Sequence, residues 1–208
     1  MRQVKLSRRC LQNPTAYLLA AVLFSLFLSG CSSSASSTIP SSEFVSLGLS
    51  PSTAAPIGTP VKGIIECGTG YTSHELYDVK ITVIEIVRGS KALALLNPAI
   101  NPVSTASEYI AARIKFEYSA RGAPGDCCHD LKAAQFIAFS GDGREYQASS
   151  TPPPTPELKG RICAGNLFEG WVLFEVGKDD SKPVTMFDAG VGGLEGVEHG
   201  GNIWLRLY

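Results

Sequence analysis

The chain has 208 residues and a formal net charge of −1, with 18 Lys and Arg against 19 Asp and Glu. Four of the basic residues and none of the acidic ones lie in the first 30 positions, so the chain from position 31 carries 14 basic and 19 acidic residues, a net charge of −5. This balance argues against a nucleic acid or an anionic membrane surface as the partner, since both attract basic patches. The 21 Gly, 13 Pro and two Met favour a β protein.

The chain begins with the parts of an export signal. A basic stretch, Met1–Arg9, precedes an apolar run over Tyr17–Leu28, which is shorter than the roughly 20 residues of a membrane-spanning helix. Leu28–Cys31 resembles the lipobox of bacterial lipoproteins, and this resemblance implies lipidation of Cys31 and cleavage before it. We therefore predict a signal peptide over residues 1–30. The predicted location is the extracytoplasmic side of the cell membrane or outer membrane, with the membrane contacted through the lipid on Cys31.

Residues 31–60 are predicted to be a disordered tether that follows the lipidated cysteine. The segment is rich in Ser, Thr, Ala and Pro and has no sustained apolar period, which is typical of an unfolded linker.

Residues 61–208 predict a single all-β domain with almost no helix. In Glu108–Ser119, apolar side chains alternate with charged ones, the period of a strand with one buried face. Short apolar runs separated by turn residues continue along the domain, which predicts an antiparallel sandwich of about nine strands. The nine segments are Val61–Cys67, Leu76–Arg88, Glu108–Ser119, Gln135–Ser140, Glu145–Ala148, Arg161–Ala164, Phe168–Val176, Val184–Asp188 and Asn202–Tyr208.

Two features interrupt this strand pattern. Within Leu76–Arg88 the apolar phase shifts by one residue at Ile84, which predicts a β-bulge. The connection Gly89–Ser107 includes Lys91–Leu96, for which we predict one or two helical turns that end before Asn97-Pro98.

Several short sequences in the domain resemble a family of exported bacterial domains with a telokin-like fold. They are Val87-Arg88-Gly89, Glu108-Tyr109-Ile110, Asp142-Gly143, Gly170–Val176 and Ile203-Trp204-Leu205. The resemblance, which extends to a secreted mycobacterial immunoprotective antigen, implies an immunoglobulin-like β-sandwich over residues 61–208. The family has no agreed catalytic residues, so the resemblance transfers none.

Four cysteines remain in the predicted domain: Cys67, Cys127, Cys128 and Cys163. An exported chain can form disulfides. Bonding Cys127 to its neighbour Cys128 would close a very small ring with poor geometry. The sequence therefore favours two disulfides that join Cys67 and Cys163 separately to this adjacent pair, with the choice between the two pairings open.

The alternative for this region is a metal site or an active site built on Cys127-Cys128-His129-Asp130, with His74 and Cys67 as further metal ligands. Zinc sites use Cys and His, but their cysteines are usually two to four residues apart. Asp142-Gly143 is part of a calcium-loop pattern whose other ligands are missing, so a hairpin turn is the better interpretation.

The motifs Gly-x-Ser-x-Gly, Ser-x-x-Lys and His-Glu-x-x-His do not occur in the sequence, and we predict no catalytic residue, metal or cofactor. Trp171 and Trp204 could line a ligand groove, although their strand positions favour core packing. We predict a non-enzymatic binding module for an unknown protein or small-molecule ligand, and not for nucleic acid. The predicted contact loops are Gly89–Ser107 and the glycine-rich Gly190–Gly201. Shortening the first or deleting the second is expected to leave the fold intact and to weaken partner capture.

Overall fold

The structure is a computed structural model that describes residues 46–68, 74–100, 103–122, 127–190, 199–200 and 202–208. The predicted signal peptide, Cys31 and the first half of the predicted tether lie outside these residues. Within the described ranges, no helix has the length and apolar character needed to cross a bilayer.

The described residues form ten strands and one short α-helix. The strands are β1 (Val61–Gly68), β2 (His74–Arg88), β3 (Ser107–Ala120), β4 (Cys128–Leu131), β5 (Phe136–Phe139), β6 (Gly160–Cys163), β7 (Asn166–Gly177), β8 (Val184–Phe187), β9 (His199–Gly200) and β10 (Ile203–Arg206). The helix α1 (Ser90–Ala94) follows β2, and 3-10 turns lie at Pro51–Thr53 and Ala133–Gln135.

The strands form three antiparallel sheets, which confirms the all-β prediction. The large sheet has the order β7-β3-β2-β1-β9, the small sheet has the order β10-β8-β5, and β4 pairs with β6 in a separate ribbon. The register of β2 against β3 shifts between Val83 and Glu85, so the bulge predicted at Ile84 is present. The extra residue changes which side chains of the second half of β2 face the core, because successive side chains of a strand point to opposite faces of the sheet.

The main core lies between the large and small sheets, giving a sandwich-like arrangement. Ile81 and Phe116 of the large sheet and Phe187 and Leu205 of the small sheet are almost completely buried in one cluster. Phe116 and Phe187 meet edge to face, with their ring centroids 5.4 Å apart. Each fully buried side chain of this size contributes about 1.5–3 kcal/mol relative to exposure, so this cluster holds the two sheets together.

A second, smaller core covers part of the opposite face of the large sheet. Ala92 of α1 and Leu96 after it pack with Tyr109, Trp171 and Leu173. The prediction of a helical turn within Lys91–Leu96 is confirmed, although the helix is short. The segment after β2 is therefore held against the sheet by apolar contacts.

Residues 46–60, predicted as tether, are part of the domain, so the predicted boundary at residue 61 is wrong. Ser50 caps the 3-10 turn, and Ala54 and Ala55 are each only 1% exposed. The backbone then runs beside β10, with hydrogen bonds from Trp204 N to Gly48 O and from Arg206 N to Ala55 O. The Ser- and Pro-rich composition concealed this because capping residues and small side chains also suit a closely packed turn.

Three strand assignments differ from the sequence prediction. Cys128–Leu131 and His199–Gly200 lie outside the nine predicted strands but form β4 and β9. Glu145–Ala148 makes only isolated bridges, one from Glu145 to Phe139 and one from Ala148 to Phe174. These short pairings depend on tertiary contacts, which a local alternation pattern does not report.

Irregular segments cover three strand edges. Ala55 bridges Leu205 on the free edge of β10, Glu145 bridges Phe139 on the free edge of β5, and Glu157 bridges Trp171 on the free edge of β7. Gly170 of β7 makes the last approach possible, since a Cβ there would lie 2.7 Å from Leu158 N and 2.8 Å from Glu157 O.

Candidate functional site

The cysteine region is a disulfide-bonded structural element. Cys67 at the end of β1 is bonded to Cys127, and Cys128 of β4 is bonded to Cys163 of β6. Each disulfide uses one residue of the adjacent pair, which is one of the two pairings that the sequence left open. The Tyr77 hydroxyl also accepts a hydrogen bond from Cys127 N, at 3.1 Å. All four cysteine sulfurs are therefore in disulfides and do not act as metal ligands or nucleophiles.

His129 lies in the main core. It is 0% exposed, its ring stacks on that of Phe116 at 5.8 Å, and its Nε2 lies 3.3 Å from Gln135 Oε1. Asp130 is exposed because successive side chains of β4 point to opposite sides. The sequence Cys127-Cys128-His129-Asp130 therefore does not bring four ligands to one point. The predicted strands do not include β4, which exists through its pairing with β6.

The described part of the chain contains no group of three or more His, Cys, Asp or Glu side chains arranged to hold a metal ion. The side chain of His74 lies outside the described part. Asp142 accepts a hydrogen bond from the Ser140 hydroxyl, which lowers the pKa of its carboxyl. Gly143 has a φ of 90° and donates to Ser140 O. Asp142-Gly143 is thus a turn, as favoured over a calcium loop.

The two predicted contact loops have different outcomes. The first, Gly89–Ser107, is not a free loop, because Ala92 and Leu96 are buried against the large sheet. Most of Gly190–Gly201 lies outside the described residues. Shortening the first loop across Ala92 and Leu96 is therefore expected to cost stability, in contrast to the expectation from the sequence.

A depression with mixed charge lies on the outer face of the large sheet, where the described residues outside the second core leave the sheet exposed. We call it the charged depression, and its side-chain lining is Lys62, Ile64, Asp78, Lys80, Glu117, Ser119 and Arg121. Lys80 pairs with Glu117, and Arg121 Nε lies 3.4 Å from Asp78 Oδ1. Lys62 is exposed, and the ion pairs among the described residues do not include it. Ile64 beside it is 36% exposed.

A second surface lies on the outer face of the small sheet. We call it the Trp204 face, and it consists of Ile137, Phe139, Val184, Met186, Trp204 and Arg206. The register places Trp204 and Ile137 on either side of Met186, and Arg206 and Phe139 on either side of Val184. Directly opposite residues share a face of a sheet. The neighbouring residues 203, 205 and 187 belong to the main core, so these six side chains point away from it.

The aromatic rings of the Trp204 face meet above the middle strand. The ring centroids of Phe139 and Trp204 lie 5.0 Å apart although β8 separates their strands. Val184 and Met186 beneath them are 6% and 8% exposed, whereas both aromatic residues are half-buried. The face is therefore an apolar layer whose outermost atoms are aromatic carbon.

The two tryptophans have different roles. Trp171 is 9% exposed within the second core, so core packing is confirmed for this residue. Trp204 is half-buried on the outer face of the small sheet, so core packing was the wrong expectation for it. The outward position of Trp204 could be read from the sequence, in which Trp204, Arg206 and Tyr208 alternate with Ile203, Leu205 and Leu207.

Comparison of the chain with protein-family models, with curated proteins and with solved structures finds no match.

Proposed function

We propose that the protein is a lipid-anchored extracytoplasmic lipoprotein whose immunoglobulin-like sandwich is a non-enzymatic binding module. The lipobox-like Leu28–Cys31 supports the anchor. The antiparallel sheets with a shared core support the fold assignment. The disulfide-bonded cysteines and the buried His129 support a binding role over a catalytic one. These side chains have the most reactive chemistry in the domain, and they form disulfides or pack in the core.

The observation that carries the binding role is the charged depression. It is concave and open, and it combines the exposed Lys62 ammonium with the exposed aliphatic carbons of Ile64. Concave surfaces with a few convergent polar groups are the usual binding sites of proteins. The ion pairs of Lys80 and Arg121 hold the other cations in place. A ligand with an anionic group for Lys62 and an apolar part for Ile64 fits this arrangement.

Capture from native membranes tests the binding role. The anchored protein is cross-linked in the membrane and purified with its partner. Lys62→Glu is expected to lose the captured partner, because it replaces the exposed positive charge of the depression by a negative one. Lys178→Glu is the matched control, since Lys178 is an exposed lysine in the turn after β7. Equal capture by the wild type and Lys62→Glu would remove the depression from the proposal.

Lipid labelling tests the anchor. Cys31→Ser is expected to abolish incorporation of labelled fatty acid and to leave the precursor uncut, because the thiol is the acceptor. Labelling of this variant at the wild-type level would refute the assignment of Cys31.

A further inference from the structure

We propose that the Trp204 face docks on the lipid surface in which the protein is anchored. This inference rests on the proposed lipid anchor. It adds a direct contact between the domain and the membrane to the contact made by the lipid on Cys31. Its occupant is a zwitterionic bilayer surface, contacted by the partly exposed residues of the face, Ile137, Phe139, Trp204 and Arg206, together with Leu47 and Leu49.

The first argument is where the chain enters the domain. Gly48 O accepts a hydrogen bond from Trp204 N at 2.8 Å, so the entering segment lies along the free edge of β10. Leu47 and Leu49, on either side of Gly48, are 42% and 67% exposed. The chain that leads back to Cys31 thus leaves the domain beside the Trp204 face.

The second argument is the length of that chain. Because residues 46–60 belong to the domain, only fifteen positions separate Ser46 from Cys31, half of the predicted tether. A coil of this length spans on the order of 20 Å on average, and a fully extended one about 50 Å. A lipid on Cys31 would therefore keep the edge of the domain that carries Trp204 within about 50 Å of the lipid head groups.

The third argument is the chemistry of the face. Tryptophan and tyrosine favour the boundary between lipid and water because their rings are apolar with a polar group at one end. Trp204 and Phe139 present aromatic carbon, and the Arg206 guanidinium lies 5.6 Å from the centre of the Tyr208 ring. Arginine at this boundary can place its charge among lipid phosphates while its stem remains in apolar contact.

The charged side chains at the two sides of the Trp204 face indicate which kind of lipid surface it would contact. Arg206 lies at one side, and Glu145, which bridges Phe139 on the free edge of β5, lies at the other. Because Arg206 and Glu145 have opposite charges, the two together give no net attraction to anionic lipid. Docking is therefore expected on phosphatidylcholine and with little dependence on salt.

Tryptophan quenching by bromine-labelled lipid tests the proposal. The lipidated full chain is reconstituted into vesicles of phosphatidylcholine with brominated acyl chains, which quench tryptophans that reach the bilayer. The wild type is expected to lose the Trp204 part of its emission, and Trp204→Phe, which retains only Trp171, to be unaffected. Leu49→Glu should reduce the quenching, whereas Leu167→Glu, at an exposed leucine of the large sheet, should not.

The outcomes separate this proposal from the anchor itself. Unquenched Trp204 in a protein shown by mass spectrometry to carry lipid overturns the docking face. A dimer in detergent that Trp204→Phe dissociates also overturns it, because a second copy then covers the face. If Cys31 carries no lipid, the proposed anchor fails. In that case the chain is mixed with preformed brominated vesicles, where quenching of Trp204 supports the docking face alone and its absence overturns it.

Discussion

Cys128 and Cys163 lie directly opposite each other on β4 and β6 and are joined by a disulfide, while the adjacent Cys127 is bonded to Cys67 at the end of β1. The two bonds together fix the β4–β6 ribbon to the large sheet. Replacing Cys128 and Cys163 together by Ser is expected to lower the free energy of unfolding by about 2–4 kcal/mol, because the unfolded chain loses a cross-link.

Denaturant titration measures this loss, and non-reducing peptide mapping checks the pairing. The Cys67→Ser/Cys127→Ser double variant is the matched control for removal of the other bond. A peptide that links Cys67 to Cys128, or four free thiols in the protein purified without reductant, would contradict the structure.

The segment after β2 is expected to contribute to stability through Leu96. Its side chain is 7% exposed in the second core, whereas that of Leu95 is 42% exposed. Leu96→Ala should therefore cost about 2–5 kcal/mol, the usual effect of a large-to-small change in a core. Thermal and denaturant unfolding of Leu96→Ala and Leu95→Ala compare a buried and an exposed leucine side by side. Equal stability of the two variants would show that the segment does not cover the sheet.

Gly170 is expected to tolerate no side chain. A Cβ there would meet backbone atoms of Glu157 and Leu158 at 2.7–2.8 Å, and backbone cannot move aside as a side chain can. Gly170→Ala should destabilise the domain by about 1–3 kcal/mol, the range for overpacked positions. Gly177→Ala on the same strand is the control, since its nearest atom is the Tyr146 hydroxyl at 3.3 Å. Wild-type stability of Gly170→Ala would mean that the 157–158 segment does not lie on β7.

Tyr146 is expected to make the domain sensitive to alkali. Its partial burial, together with the hydrogen bond that it donates to Asp180 Oδ2 at 2.8 Å, raises the pKa of its phenol above the ordinary value of 10.0. A raised pKa means that the fold favours the protonated form. The stabilisation is therefore complete below about pH 10 and is lost as the pH rises through the pKa of the folded state.

Tyr146→Phe should remove this alkaline dependence and cost about 1 kcal/mol at neutral pH through the lost hydrogen bond. Unfolding free energies measured from pH 7 to 11 provide the check. A decline with pH that is as steep in Tyr146→Phe as in the wild type would assign the effect to another group.

The sequence predicts the long strands well because their periodicity reflects burial directly. The alternation in Glu108–Ser119 and the phase shift at Ile84 both reappear in the structure. The four-residue strand β4 could not be found in this way, because Cys128–Leu131 is too short to show a period and exists through its pairing with β6. The same limit concealed the packing of Ala54 and Ala55, whose small side chains give no hydrophobic signal.

The surfaces were harder to predict than the fold. The charged depression combines side chains from β1, β2 and β3 with Arg121 after them, and only the register of the sheet brings them together. The Trp204 face was partly readable from the alternation at the end of the chain. That Phe139 joins Trp204 across β8 depends on the strand order of the small sheet, which no local pattern contains.

The covered edges of β5, β7 and β10 have a consequence for the association of the domain with copies of itself. An exposed strand edge is a template on which a neighbouring chain can add a strand, the first step toward domain swapping or amyloid. Here Ala55, Glu145 and Glu157 already occupy positions along those edges. A second copy of the domain would therefore meet side chains and irregular backbone at these three edges, and none of the three offers it an open row of backbone groups to extend.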